Sequence, residues 1–174
     1  MPPGTYTVKL IAGGRTLSAP LVVRKDPNTA GSEADIRAQT KTMLAIRENL
    51  AVVTGLINRA EAVRAQLATL VAVQTDDAAG RAARASAEAL DAKILAVESH
   101  LFNMTSTGRG QDFLRTPGQM VEKLLHLADV VSLADFAPTD QQLEVHAKLT
   151  KEIAGYRDGL SATLESAPEF RIKN

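Results

Sequence analysis

The sequence predicts a mainly α protein, an up-down helical bundle of three to four antiparallel helices preceded by a short antiparallel β-hairpin. Three observations carry that prediction. Alternation of apolar and polar residues at the period of a strand is confined to residues 5–23. From residue 43 onward apolar residues instead recur at steps of three and four, the period of a helix face. The breaks between those runs hold helix-start residues.

In residues 5–11, Tyr6, Val8 and Leu10 alternate with Thr5, Thr7 and Lys9, as in a half-buried strand. Gly13-Gly14 suits a tight turn with positive φ at both central positions. Leu17, Ala19, Leu21 and Val23 alternate again, and Pro20 argues for an edge position. An isolated hairpin is marginal in water, because its buried face needs a partner surface. It either docks on the helices or belongs to a larger β structure. Asp26-Pro27-Asn28 closes this part, so residues 1–27 form a hairpin unit and residues 28–174 the bundle.

Ser32 with Asp35 resembles a capping box. Met43, Ile46, Leu50, Val53, Ile57, Ala60, Val63, Leu67 and Leu70 then form one seam that runs to about Gln74, with Gly55 as a candidate bend. Thr75-Asp76-Asp77 starts the second helix, whose seam is Ala83, Ala87, Leu90, Ile94, Val97 and Leu101. Residues 103–115 interrupt the pattern. Thr116-Pro117-Gly118-Gln119 reads as a cap, an N1 proline and an N3 glutamine. The third seam is Met120, Leu124, Leu127, Val131 and Ala134. Pro138 ends it, and Thr139 with Gln142 forms another capping box. Leu143, Leu149, Ile153, Tyr156, Leu160 and Leu164 make the fourth seam, which stops before Pro168. Short connections favour antiparallel neighbours, hence an up-down-up-down bundle. The alternative is a three-rod layout in which the third and fourth helices form one kinked rod.

Composition narrows the function. Lys+Arg and Asp+Glu both number 20, so the formal net charge is zero and the basic excess of a nucleic-acid binder is missing. Cys is absent, which removes disulfides, thiol nucleophiles and cysteine metal sites without fixing the compartment. No apolar run approaches the roughly 18–20 residues of a membrane span. Met1 leads straight into Pro2-Pro3-Gly4, so no signal peptide is expected in these residues. Aromatic residues make up only 3%, which suits a thin, closely packed core better than a ligand pocket.

The polar constellations point to structure rather than chemistry. His100, His126 and His146 fall on three different helices. Glu98-Ser-His100 and Glu144-Val-His146 are spaced by two, whereas a di-iron bundle uses Glu-x-x-His. No metal and no cofactor are expected. His146 lies near a seam and reads as a satisfied core histidine. A small all-α enzyme of the chorismate-mutase type would need inward Arg and Lys. Arg64, Lys93 and Lys123 lie one position off their seams, where long side chains snorkel to solvent. Gly108-Arg109-Gly110 follows no strand and precedes no Lys-Ser/Thr, so it reads as loop turns. Asn103-Met104-Thr105 matches a glycosylation sequon, a short pattern common by chance. No catalytic residue is assigned.

The order of features is itself informative. The PGTYTVKL strand, the Gly13-Gly14 turn, the PLVVRKDP strand and the helix SEADIRAQTKTMLAIRENL resemble the C-terminal region of one family. So does QDFLRTPGQMVEKLLHLADVVSLADFAPTDQQLEVHAKLTKEI, with its Lys123-Leu124 pair and its Ala137-Pro138-Thr139 step. The family is that of the large bacterial sortilin-like or BNR-repeat propeller proteins, often labelled glycosyl hydrolases. The tail residues 169–174 match nothing in it. The resemblance implies propeller repeats first, then an immunoglobulin-like sandwich, then these helices. The hairpin would be the last two strands of that sandwich, and the parent would be compatible with export. Any hydrolase-like site would lie in the propeller, so no catalytic residue carries over. Three functions stay open: a non-catalytic accessory or interaction domain, a free-standing oligomeric helical adaptor, and a small helical enzyme. The implied partner is either the rest of a sandwich or a second copy, met through Tyr6, Val8, Leu10, Leu17, Leu21 and Val23.

Overall fold

A computed structural model describes residues 2–167; Pro168 and residues 169–174 lie outside the described residues. The chain begins with strands β1 (Gly4–Ala12) and β2 (Arg15–Val23), paired antiparallel in a two-stranded sheet. Five helices follow: α1 (Glu33–Ala72), α2 (Ala78–Leu101), the single turn α3 (Asp112–Arg115), α4 (Met120–Ser132) and α5 (Asp140–Glu165). The fold is mainly α with an N-terminal hairpin, as the sequence predicts.

Local chemistry sets the helix starts. Ser32 and Asp35 make a reciprocal capping box on α1. Asp77 caps α2 by accepting the Gly80 N–H at 2.7 Å, and Thr139 with Gln142 caps α5. α1 runs unbroken for 40 residues, through Gly55, a length of about 60 Å at 1.5 Å per residue. The start of α4 differs from expectation. Its N-cap is Gln119, boxed with Glu122, rather than Thr116. Thr116 is engaged elsewhere: its N–H closes α3 on Asp112, and its Oγ1 accepts from Asn103 Nδ2 at 2.7 Å.

Three rods build the bundle. The connection 73–77 turns α2 back along α1, and Arg64 of α1 meets both Asp91 and Glu98 of α2. At the other end of α1, Gln39 Nε2 donates to the Val131 carbonyl of α4 at 2.8 Å. The 13 residues of α4 span about 20 Å, so α4 must run from the middle of α1 down to its start. It therefore points the same way as α2 and continues that rod below the 102–119 interruption. This corrects the strict up-down-up-down order, and it is the second and third long helices that share a rod, not the third and fourth. α5 returns parallel to α1. Asn49 of α1 meets its first turns at His146 and Thr150, and Tyr156 further on stacks on His100 of α2.

The seams close on one core. Ile46, Val53, Ala60, Val63 and Leu67 of α1, Ala87, Leu90, Ile94 and Leu101 of α2, Met120, Leu124, Leu127 and Val131 of α4, and Leu149, Ile153 and Leu160 of α5 are all buried together. Leu143 departs from expectation and is exposed; the first turn of α5 meets α4 through Gln142 instead, whose Nε2 donates to the Val130 carbonyl at 3.3 Å. Ala134 falls past the end of α4 and serves through its carbonyl, an acceptor for Gln39. The linker into α1 is fixed at Gly31, where a Cβ would sit 1.5 Å from the Asp135 carbonyl oxygen. Only glycine allows the α4–α5 turn so close.

Candidate functional site

Among the described residues, neither strand of the hairpin packs against a helix. Its turn residues Gly13 and Gly14 both have positive φ, 55° and 72°, the requirement of a type I′ connection that follows strand twist. The register pairs Tyr6 with Leu21, Val8 with Ala19, and Leu10 with Leu17, with Gly4 opposite Val23. Residues directly opposite share a face. One face of the sheet therefore carries Tyr6, Val8, Leu10, Leu17, Leu21 and Val23, with Arg15 at its turn end, and nothing in the described residues covers it. Val8 is 50% exposed, Leu10 58% and Leu17 66%. The opposite face is mixed: Thr5, Thr7, Lys9, Thr16 and Ser18 lie there with Ile11, Pro20 and Val22. Tyr6 is anchored, its hydroxyl donating to the Pro2 carbonyl at 2.7 Å.

The two edges of the sheet are unequal. A two-residue turn makes Ala12 and Arg15 the first hydrogen-bonded pair, and hydrogen-bonded and open pairs then alternate. Thr7 opposite Pro20 is an open pair, which is how a proline fits without losing a ladder bond. Residues of open pairs turn their N–H and C=O to the free edge. On β2 that row is Thr16, Ser18, Pro20 and Val22, interrupted by the proline; on β1 it is Thr5, Thr7, Lys9 and Ile11, unbroken.

The other polar candidates fall into structural places. Arg64 is a correction to the sequence reading. Its guanidinium turns inward, donating from Nε to Asp91 Oδ1 at 2.9 Å and from Nη1 to Glu98 Oε2 at 2.8 Å. The Asp91 bond, with help from Glu98, raises its pKa further. Glu98 is wholly buried and its Oε1 makes no hydrogen bond to the described residues. It occupies the seam position assigned to Val97, which is only partly buried. The signal was present, since 94–98–101 is as good a helical step as 94–97–101. Beside this cluster lies an open groove of about 530 Å³ lined by Arg64, Ala68, Val71, Glu88 and Asp91. Lys93 and Lys123 are exposed.

His126 is exposed, and His100 stacks on Tyr156 with ring centroids 5.5 Å apart. His146 is half-buried, with Nε2 3.1 Å from Asn49 Nδ2, which agrees with a satisfied histidine. Among the described residues no three His, Cys, Asp or Glu side chains come together as metal ligands. Asn103 is buried, its amide spent on Thr116 and its Oδ1 on Thr105. The Gly108 loop wraps a carboxylate of its own chain. Asp112 accepts from the Thr107 hydroxyl and from the N–H groups of Thr107 and Gly108. These bonds, the Thr107 hydroxyl foremost, hold its pKa below the usual carboxylate range. Amides already committed to Asp112 are not turned toward a phosphate. No helix of the described residues is long and apolar enough to cross a membrane. No protein-family model, no curated protein and no solved structure matches this chain.

Proposed function

We propose that the chain is a non-catalytic accessory and interaction domain of a larger propeller-containing protein, in which the hairpin is the contact element and the bundle its support. The observation that carries this reading is the apolar face of Tyr6, Val8, Leu10, Leu17, Leu21 and Val23, which stands clear of every helix. Burying one such side chain contributes roughly 1.5–3 kcal/mol, so a row of them half exposed favours a partner surface. The edge asymmetry supports the same reading. In an immunoglobulin-like sandwich the last strand lies at the edge of its sheet and the one before it lies inside. β2 with Pro20 on its free edge suits the first place, and the unbroken row of β1 suits the second.

A second reading, self-association as a free-standing adaptor, rests on the same exposed face. Both readings place the contact there. The test is the double variant Leu10→Lys/Leu17→Lys. The full chain is expected to associate with rising concentration in light scattering and to bind a hydrophobic dye. The double variant loses both properties and keeps the thermal unfolding of the bundle. A full chain that stays monomeric and binds no dye, or a variant that associates as before, contradicts the proposal.

A further inference from the structure

Resting on the reading of the hairpin as the contact element, we infer that the isolated chain pairs with a second copy along β1, antiparallel about a two-fold axis at Val8. Three observations select this arrangement. Strand addition needs an uninterrupted row of outward N–H and C=O groups. β1 supplies it at Thr5, Thr7, Lys9 and Ile11, whereas Pro20 removes a donor from the middle of the β2 row.

Side-chain chemistry fixes the register. With the axis at Val8, Thr5 pairs with Ile11 and Thr7 with Lys9 of the second copy, so all four outward positions are used. Tyr6 lies opposite Leu10, an aromatic–aliphatic pair of the favoured kind, and Val8 opposite Val8. An axis at Lys9 instead sets two ammonium groups face to face, which is destabilising. An axis at Thr7 leaves Ile11 without an opposite residue inside the strand. Opposite residues of an antiparallel pair share a face, so the two apolar faces merge into one.

The topology leaves room for the bundles. The chain leaves β2 at Val23, opposite Gly4, so the two-fold axis sends the two helical bundles to opposite ends of the four-stranded sheet. Gly4 of one copy lies level with Ala12 of the other, about 27 Å from its own symmetry mate along strands rising ~3.4 Å per residue. Among the described residues, neither strand packs against a helix of its own chain, so no such packing is broken.

The chain contains no cysteine, so one introduced thiol reports the geometry without background. Val8 would face its own copy as an open pair with Cα atoms ~4.5 Å apart, within disulfide reach. Under mild oxidation full-length Val8→Cys is expected to form covalent dimer about tenfold faster than Leu17→Cys, whose position on the outer strand lies beyond disulfide reach. In parallel, Thr7→Pro abolishes association while Ser18→Pro, the same change on the β2 edge, leaves it intact. If Val8→Cys cross-links no faster than Leu17→Cys although Leu10→Lys/Leu17→Lys abolishes association, the copies stack face to face, and the pairing is wrong while the contact face stands. If the unmodified chain is monomeric, self-pairing is overturned. Should Thr7→Pro unfold the hairpin, the cysteine pair alone decides.

Discussion

The hairpin and the bundle are made from the same apolar side chains and use them in opposite ways. Leu124 and Ile94 are fully enclosed by neighbouring rods, while Leu17 in the hairpin is 66% exposed. The reason is architectural. A helix seam needs one wide stripe and finds it on the neighbouring rods. A two-stranded sheet has a whole face to cover and no second layer. The buried apolar area therefore lies inside the bundle, and the hairpin's apolar surface is left uncovered among the described residues. Substitutions should separate the two regions sharply.

The largest effect is expected at the buried ion pair. Arg64→Ala leaves Glu98 enclosed and unpaired, a situation that costs about 3–5 kcal/mol, while Asp91→Asn at the more open side costs under about 1 kcal/mol. Urea unfolding of the two variants measures the difference. Equal costs would mean that Glu98 is not the anchored partner. Next, Leu124→Ala should destabilise by about 2–5 kcal/mol through its cavity, whereas Leu17→Ala should change stability by less than about 0.5 kcal/mol. A large cost at Leu17 in dilute solution would mean that the hairpin face is packed within one chain.

A smaller effect concerns the caps. Asp77 is held below the usual carboxylate range, chiefly by the Gly80 N–H, and Asp35 chiefly by the Ser32 hydroxyl. Their folded values lie below the unfolded one, so their stabilisation is complete above about pH 4 and is lost as pH falls through the lower folded values. Thermal unfolding should weaken over that acid range. Asp77→Asn, which caps equally well, should flatten part of the slope, and an unchanged slope would remove Asp77 from the account. The hairpin, with no carboxylate in either strand, contributes nothing to it.

Much of this division was legible in the residues. Period-two alternation ends at Val23 and period 3.6 begins in α1, so the boundary and the element types follow from side-chain spacing. Ser32, Asp77 and Thr139 announce their helices because a side-chain oxygen must meet the orphan N–H groups. The paired faces of the hairpin follow once Gly13-Gly14 fixes the register. What spacing cannot carry is long-range. Whether α4 runs up or down depends on the level at which Gln39 meets Val131. Thr116 looks like a cap until Asn103 claims its hydroxyl. Glu98 fits the seam as well as Val97 does, and only Arg64 on another helix makes burying its charge tolerable. Gly31 carries no local turn signature, and its necessity appears only when the Asp135 carbonyl arrives beside it.

The central claim is that the bundle is complete without the hairpin, whose apolar face serves contact alone. Thermal unfolding of the chain lacking residues 2–25, in dilute solution beside the full chain, tests it most directly. A cooperative transition within about 3 °C of the full chain's, equivalent to roughly 1 kcal/mol for a domain of this size, is the expected result. A collapse of the transition, or its loss of cooperativity, would show that the hairpin is part of the bundle's own fold and would contradict the account.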